Sequence, residues 1–152
     1  MNASLSDTAT YRHILVVVDL TQHSGTVGAK AKTLAEQSSA QLSLLHVVEY
    51  LPIEPLGEAL LPTFEVETEA VLHAKRRLLE LATTLGIPSS ACYVEAGPVK
   101  SEIVRTATRL NADLIVLGSR ERHGLSILLN LTEDTVLHAA HCDVLAVRIK
   151  ST

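Results

Sequence analysis

Five short apolar runs alternate with segments of helical periodicity, and this alternation limits the possible folds more than any other feature. The runs are continuous and rich in Val, Leu and Ile, which is typical of strands buried on both faces of a parallel sheet. We predict strands over residues 13–19, 41–49, 91–97, 112–118 and 142–149. Parallel strands need long crossover connections, usually helices. The sequence therefore predicts an α/β fold, a single doubly wound domain with helices on both faces of a parallel sheet.

The segments between the strands have the apolar spacing of amphipathic helices. We predict helices over residues 24–39, 64–85, from Pro98 through Leu110, and 132–140. Ser24 is the predicted cap of the first helix because its hydroxyl can accept from a free backbone N–H group. Gly86 predicts the end of the second helix, with Pro88 just beyond it.

Two segments do not fit the strand and helix pattern. Residues 50–63 contain three prolines and one glycine, so we predict an apolar loop there. Loops of this length often cover a site or contact a partner. Residues 1–11 are polar and lack the apolar stretch of a secretory signal. We predict a flexible N-terminal tail over residues 1–11 and one domain over residues 12–150.

Composition and charge argue against several classes of function. The formal net charge is −4, and the isoelectric point lies near 5.9. Nucleic-acid-binding domains usually carry a basic patch or stripe. The short basic run at residues 75–77 sits in a helical pattern, and we interpret it as a solvated helix face. No apolar stretch reaches the roughly 18 residues of a membrane span. We therefore expect neither nucleic acid nor membrane as a partner, and a cytoplasmic location.

The cysteines and histidines do not form a recognisable reactive motif. Cys92 and Cys142 lie in separate strand-like runs without CxxC spacing, so we predict buried free thiols. His13 and His46 lie in or beside buried strands, where a hydrogen-bonded structural role is usual. The sequence also lacks a GxSxG elbow, an HExxH pair and a complete Walker loop. We therefore predict that the protein is not an enzyme.

Four pieces of the chain together resemble the universal stress protein family of the UspA type. These pieces are "HILVVVDLT", "LSLLHVVE", "ADLIVLGSRERHG" and "DTVLHAAHCDVLAVR". The resemblance covers most of the chain and implies a five-stranded parallel sheet in the order 3-2-1-4-5. It also implies a homodimer formed by the last strand, with the interface residues Val144, Leu145, Ala146, Val147 and Arg148. Pairing an apolar edge strand has an independent motive, because a bare edge invites aggregation.

Members of the family that bind ATP share a loop of glycine, two residues, glycine, about nine residues, and then glycine with Ser or Thr. Gly118 matches the first glycine of this pattern. Glu121 and Asn130 stand at the other two glycine positions, and Leu131 stands where the hydroxyl belongs. Thr132 follows one place later. The loop therefore departs from the ATP-binding pattern at most of its positions.

The same resemblance implies a nucleotide pocket at the carboxyl ends of the strands. Its candidate residues are Val17, Asp19, Val47, Leu117, Gly118, Arg120, Arg122, His123, Asn130 and Thr132. Each has an alternative role in the fold. Val47 and Leu117 fit a plain core better than an adenine wall, and Asp19 fits a turn as well as an adenosine contact. Thr132 fits a helix cap, and the arginines with His123 fit a solvated loop.

The charge of the loop opposes phosphate binding. Glu121 adds bulk and negative charge where backbone N–H groups would approach an anion. Glu133 and Asp134 then place two carboxylates at the start of a helix, where a phosphate would sit. Arg120 and Arg122 favour phosphate binding, because an arginine can bind phosphate with two hydrogen bonds. Magnesium could also bridge carboxylates and phosphate.

Two hypotheses of different classes remain open. The first is a non-catalytic stress-response protein that acts as a homodimer through protein contacts, with a degenerate nucleotide loop and no required cofactor. The alternative is a regulatory module that binds ATP or AMP with Mg²⁺ and has at most weak ATPase activity. A true enzyme, such as a nucleotidyl transferase, has only an analogy of fold in its favour. His138 and His141 are three residues apart, and a metal there would need further ligands.

Overall fold

The computed structural model describes residues 10–49, 62–120 and 132–150. Strands and helices alternate along these residues. They are β1 (His13–Val17), α1 (Ser24–Ser38), β2 (Gln41–Glu49), α2 (Pro62–Leu85), β3 (Cys92–Gly97), α3 (Val99–Arg109), β4 (Leu114–Arg120), α4 (Thr132–Ala139) and β5 (Asp143–Ile149). A 3-10 turn at Ser89–Ala91 precedes β3. The alternation is the one that the apolar runs predict.

All five strands form one parallel sheet in the order β3-β2-β1-β4-β5. This order confirms the predicted fold class. The central strand β1 pairs with β2 on one side and with β4 on the other, so that Val17 lies opposite both Leu45 and Leu117. The winding direction reverses between β1 and β4. In open parallel sheets, ligands bind beyond the carboxyl ends of the strands at such a reversal.

The sheet separates two apolar cores. Successive strand residues point to opposite faces, and Ile14, Leu15 and Val16 are all completely buried. Ile14 and Val16 pack in the core beneath α1 and α2, whereas Leu15 packs in the core beneath α3 and α4. Burial on both faces is the physical reason that the strand sequences are apolar without alternation.

The structure corrects the predicted ends of two strands. β1 ends at Val17 rather than at residue 19, because the Asp19 side chain forms a turn and Leu20 adopts a left-handed φ of 59°. β4 begins at Leu114 and continues to Arg120 rather than ending at residue 118. It continues because residues 119 and 120 still pair with β5. Gly118 therefore lies inside a strand and not at its end.

The start of α1 also differs from the prediction. The residue that precedes the helix is His23, and it makes no capping hydrogen bond with its side chain. Ser24 is the first helical residue and is buried, with a hydroxyl that donates to Asp19 Oδ1 at 3.1 Å. The predicted cap is therefore wrong, because Ser24 is already inside the helix and its hydroxyl bonds a side chain.

α2 begins two residues before the predicted start and ends where predicted. Pro62 opens it, which suits a residue that lacks a backbone N–H group. The prediction of a loop over residues 50–63 is therefore too long at its end, and residues 50–61 lie outside the described part. Gly86 follows the helix with a φ of 70°, which confirms the predicted stop. None of the helices in the described residues combines the length and the hydropathy of a membrane-spanning segment.

Side-chain contacts tie the start of the described chain to the sheet. The Tyr11 hydroxyl donates a hydrogen bond of 2.9 Å to Oδ2 of Asp143, the first residue of β5. The Asp113 carboxylate accepts from the backbone N–H groups of Arg12 and His13 at 2.8 and 3.0 Å. Hydrogen bonding to Asp143 raises the pKa of Tyr11. Residues 1–9 of the predicted tail lie outside the described part, so the domain boundary stays a prediction.

Both cysteines are half-buried, which is more exposed than predicted, and both are free. Burial raises the pKa of the Cys92 thiol. Burial likewise raises the pKa of the Cys142 thiol, and the negative charges of Asp143 and Asp113 add to the effect. A raised pKa keeps a cysteine in its less reactive thiol form. The environments of both residues therefore favour the less reactive thiol form.

Thr106 on α3 carries a buried hydroxyl that is unsatisfied within the described residues, and its replacement should change the stability of the protein. Its side chain is completely buried, and its hydroxyl has no hydrogen-bond partner among the described residues. Valine has nearly the same shape without the polar atom. We expect Thr106→Val to raise the free energy of unfolding by about 1 kcal/mol, because it removes an unsatisfied buried group. Urea unfolding at fixed protein concentration measures the change.

Thr108 provides the matched control on the same helix. It is exposed, and its hydroxyl donates to the Val104 carbonyl at 2.9 Å. Thr108→Val should change the free energy of unfolding by no more than about 0.5 kcal/mol, as is usual for surface substitutions. A loss of stability in Thr106→Val would mean that the hydroxyl is satisfied in solution.

Candidate functional site

The reversal of winding places two predicted site residues at the same edge of the sheet. Asp19 lies two residues beyond β1, and Gly118 lies in the neighbouring strand β4. The residue pair Val17 and Leu117, just before them, is in register across the two strands. The sheet order therefore brings Asp19 and the carboxyl end of β4 to one side of the domain, as the sequence predicts.

Asp19 organises the turn between β1 and α1. Its Oδ1 atom accepts hydrogen bonds from the backbone N–H of Thr21 at 3.0 Å, from the Thr21 hydroxyl at 2.7 Å, and from the Ser24 hydroxyl at 3.1 Å. A carboxylate that bonds the backbone two residues further on forms an Asx turn. Asp19 thus performs the turn role that the sequence offered as one of two alternatives.

The next residue, Leu20, adopts a backbone conformation that leucine rarely takes. Its φ is 59°, and its side chain is buried in the core beneath α1 and α2. A left-handed conformation costs a residue with a Cβ atom about 1 kcal/mol. Two side chains from other elements hold the turn. The His46 Nδ1 atom lies 2.7 Å from the Val18 carbonyl, and the Arg77 guanidinium donates to the Leu20 carbonyl.

The predicted apolar walls of the pocket belong to the core beneath α3 and α4. Leu117 is 4% exposed and Val47 is 7% exposed. Val17 is half-buried and packs against the same cluster. All three residues lie on one face of the sheet at its carboxyl end. The burial of Val47 and Leu117 agrees with a role as ordinary core residues, which the sequence favoured over a role as walls for adenine.

Gly118 has a packing reason to be glycine. A Cβ atom at this position would lie 2.7 Å from the Ile149 Cδ1 atom of β5 and 3.2 Å from the Val27 Cγ2 atom of α1. Contacts this short force a neighbour to move. Unlike Gly86, Gly118 does not have a positive φ. Close packing of α1 and β5 therefore explains this glycine without a phosphate.

The other predicted pocket residues stay predictions. Arg122, His123 and Asn130 lie outside the described residues, as do Glu121 and Leu131. Arg120 ends β4 and Thr132 begins α4. The positions of these two side chains also lie outside the described part.

A cleft of about 660 Å³ lies at the opposite end of the domain. Its lining includes His13 and Gln41, the first residues of β1 and β2, together with Gly86 and Tyr93. The volume falls in the range of small-molecule pockets. However, the cleft lies at the amino ends of the strands, whereas ligands of doubly wound sheets bind beyond the carboxyl ends. We therefore place the candidate site at the carboxyl ends of the strands and not in this cleft, despite the volume of the cleft.

The histidines of the sheet have structural partners, as the sequence predicted. The His13 Nε2 atom lies 2.7 Å from the Ser43 hydroxyl, and His46 bonds the Val18 carbonyl. Within residues 10–49, 62–120 and 132–150, neither His138 nor His141 is part of a group of three His, Cys, Asp or Glu side chains that could hold a metal ion.

Comparison with known proteins decides the family. Residues 10–148 match the profile of the Universal stress protein family. The chain belongs to this family. Universal stress protein A homolog 2 of Coxiella burnetii is 41% identical over 143 residues, which is 93% of this chain and 98% of that protein. The resemblance carried by the sequence motifs is thus confirmed over nearly the whole length.

Solved structures of the family share the fold of this universal stress protein. UspA from Lactobacillus plantarum superposes with a TM-score of 0.69 at 28% identity, covering 92% of this chain and 99% of that one. A universal stress protein crystallised in complex with cAMP superposes with a TM-score of 0.60 at 19% identity, covering 91% and 98% of the two chains. The second likeness shows the fold alone.

Sequence reasoning missed one contact at the site of this universal stress protein. The basic run at residues 75–77 predicts a solvated helix face, yet Arg77 donates a hydrogen bond to the β1–α1 turn. Arg77 is exposed, so the expectation of solvent contact holds for part of the side chain. The sequence contains no signal that separates Arg77 from Arg76, because the distinction arises only when α2 packs beside the turn.

Proposed function

We propose that this universal stress protein is a non-catalytic stress-response protein that works as a homodimer through contacts with other proteins. It requires no bound nucleotide, and its site is a degenerate form of the nucleotide site. A cytoplasmic location is part of the proposal and rests on the sequence.

The observation that carries the proposal is that the described pocket residues already serve the fold. One oxygen of Asp19 accepts three hydrogen bonds from its own turn. Leu117 and Val47 are buried core residues, and Gly118 makes room for neighbouring side chains. These residues therefore have reasons to be present that involve no ligand.

The chemistry of the loop supports the same proposal. Glu121, Asn130 and Leu131 replace the glycines and the hydroxyl of the ATP-binding pattern. Residues 118–136 contain two arginines and three acidic residues, which leaves a net charge of −1 with His123 neutral. A phosphate site gains affinity from positive charge or bare backbone N–H groups. The sequence of this loop indicates neither an excess of positive charge nor an excess of bare backbone N–H groups.

A thermal-shift titration tests the proposal directly. The protein is titrated with ATP, ADP and AMP up to millimolar concentration, each with and without Mg²⁺. We expect no saturable rise in Tm, because a ligand that binds the native state must stabilise it. Nucleotide recovered in stoichiometric amount from purified protein, or a saturable rise in Tm, contradicts the proposal. Mass spectrometry of the denatured sample measures the bound nucleotide.

An adenine-nucleotide switch is the second candidate function. It is favoured by the universal stress protein that was crystallised in complex with cAMP, whose fold this chain shares. The family resemblance puts Asp19 of this chain among the candidate pocket residues. ATP or AMP with Mg²⁺ would be the ligand of this alternative. Adding cAMP to the titration tests it. A rise in Tm that Asp19→Asn abolishes would support the switch, since Asn keeps a turn acceptor but removes the charge.

The homodimer part of the proposal rests on β5. This strand lies at the edge of the sheet and pairs with β4 on one side. Its residues are apolar in the middle, with Ala146 exposed, Val144 and Leu145 half-buried, and Val147 buried. Exposed apolar edge strands favour association with another strand. A second copy of β5 would satisfy the outer backbone groups, with residues 144–148 as the interface.

The dimer proposal predicts the effect of a charge in the middle of that strand. Antiparallel pairing centred on Ala146 brings the two copies of this residue close together. We expect Ala146→Glu to raise the dimer dissociation constant at least about tenfold, because facing like charges across an interface cost several kcal/mol. Analytical ultracentrifugation over a range of protein concentrations measures the constant.

Ala29→Glu is the matched control, since Ala29 is an exposed alanine on α1. This variant should dimerise like the unmodified protein. An unmodified protein that is monomeric at all concentrations would contradict the dimer. Equal dissociation constants for Ala146→Glu and the unmodified protein would exclude β5 as its interface.

A further inference from the structure

We propose that Arg77 is a positioning residue that holds the β1–α1 turn, residues 18–24, in its observed conformation and thereby couples α2 to the carboxyl end of β1. The turn carries Asp19, the residue that the family resemblance points to at the candidate site. The inference goes beyond the proposed function, because the coupling exists whether or not a nucleotide binds.

The first step of the argument is that the turn cannot rely on backbone preference. Leu20 has a φ of 59°, in the left-handed region that residues with a Cβ atom rarely adopt. Such conformations persist where the surrounding structure over-determines them. The contacts of Leu20 and its neighbours must therefore keep the turn in place.

The second step is that these contacts come from several elements. The turn itself supplies the hydrogen bonds to Asp19, and β2 supplies the contact between His46 Nδ1 and the Val18 carbonyl. The Leu20 side chain is 7% exposed within the core beneath α1 and α2. The Arg77 guanidinium, from α2, donates to the Leu20 carbonyl.

The third step is that the Arg77 contact acts on the strained residue itself. The orientation of the Leu20 carbonyl depends on the backbone torsions around that residue, and rotation out of the left-handed region would turn the carbonyl away from Arg77. A hydrogen bond from a charged donor is stronger than one between neutral groups. Arg77 therefore favours the observed turn over a relaxed one, and a shift of α2 would change that preference.

The test compares three variants by NMR without any ligand. Arg77→Met removes the donors and keeps an apolar stem, whereas Arg77→Lys keeps a charged donor. Arg76→Met is the matched control, because Arg76 is the exposed neighbour on α2 and has no hydrogen bond or ion pair within the described residues. The φ of Leu20 is measured from scalar and residual dipolar couplings, and amide exchange is measured at Thr21.

We expect the Thr21 amide to exchange about tenfold faster in Arg77→Met, the effect of losing one hydrogen bond from a charged group. The Leu20 couplings should show a second conformation. Arg77→Lys should restore much of the protection, and Arg76→Met should behave like the unmodified protein. Unchanged exchange and couplings in Arg77→Met would overturn the proposal, as would an equal change in Arg76→Met. If Arg77→Met does not fold, Arg77→Leu, which also lacks side-chain donors, replaces it under the same criteria.

A second arm separates this inference from the question of nucleotide binding. The same variants are titrated with cAMP and with ATP and Mg²⁺ by isothermal calorimetry. If the unmodified protein binds neither, the second candidate function fails, and the turn measurements alone decide the role of Arg77. If it binds one of them, Arg77→Met should weaken that binding by a similar factor, about tenfold, while Arg76→Met leaves it unchanged. Equal affinity of Arg77→Met and Arg76→Met for the ligand would limit the role of Arg77 to the fold. It would overturn a coupling between Arg77 and the candidate site.

Discussion

Leu117→Ala is expected to lower the free energy of unfolding by about 3 kcal/mol, in the absence of any ligand. Leu117 is 4% exposed and packs with Leu15 and Ile115 in the core beneath α3 and α4. Truncation removes buried methyl groups and leaves a cavity that the paired strands cannot close. Urea unfolding followed by circular dichroism, at fixed protein concentration, measures the loss.

Leu137→Ala is the control for this variant. Leu137 lies on α4 and is 56% exposed, so its truncation should change the free energy of unfolding by no more than about 0.5 kcal/mol. The comparison distinguishes a core residue from a binding-site wall. A nearly neutral Leu117→Ala would mean that this side chain borders an open pocket, which would favour the nucleotide alternative.

Gly118→Ala is expected to lower the free energy of unfolding by about 2 kcal/mol, because it overfills a packed contact. The new methyl group would lie 2.7 Å from Ile149 Cδ1 and 3.2 Å from Val27 Cγ2. The end of the isoleucine side chain can rotate away, but the β-branched valine has little rotamer freedom on a helix. The cost therefore comes mainly from the contact with α1, and the same urea unfolding experiment measures it.

Gly25→Ala is the matched control, and its expected effect has the opposite sign. No atom lies within 4 Å of a Cβ built at Gly25, which is in the first turn of α1. Alanine has a higher helix propensity, so Gly25→Ala should raise the free energy of unfolding by up to about 1 kcal/mol. A neutral Gly118→Ala beside a stabilising Gly25→Ala would show that packing does not explain Gly118.

Much of the fold could be predicted because burial on both faces leaves a plain sequence signature. The run from Ile14 to Val16 is apolar at every position, and all three residues are buried in the structure. Crossover helices between such strands require a parallel sheet. The strand order was implied by the family resemblance and not by the pattern itself, since apolar runs do not indicate which strands are adjacent in the sheet.

Boundaries were predicted less well, because side-chain hydrogen bonds and strand pairing set them. The run at residues 13–19 continues past the end of β1, where Asp19 forms a turn and Leu20 takes a left-handed conformation. At β4 the predicted end comes too early, because pairing with β5 extends the strand to Arg120. Neither hydrophobic periodicity nor propensity indicates the side-chain turn at Asp19 or the long-range pairing of β4 with β5.

The sequence by itself determined the α/β class and the family, because these depend on apolar periodicity and on motifs read along the chain. The residues of the candidate site stay a prediction. The tertiary structure alone decided what the described site residues do. It assigned Asp19 to a turn, Leu117 to a core and Gly118 to a close contact with Val27 and Ile149. It also separated Arg77 from Arg76. The roles of Leu117, Gly118 and Arg77 depend on atoms far apart in sequence, and only the packed chain brings such atoms within contact distance. The Asp19 turn is local, but its hydrogen bonds from Thr21 and Ser24 depend on side-chain positions that periodicity does not indicate.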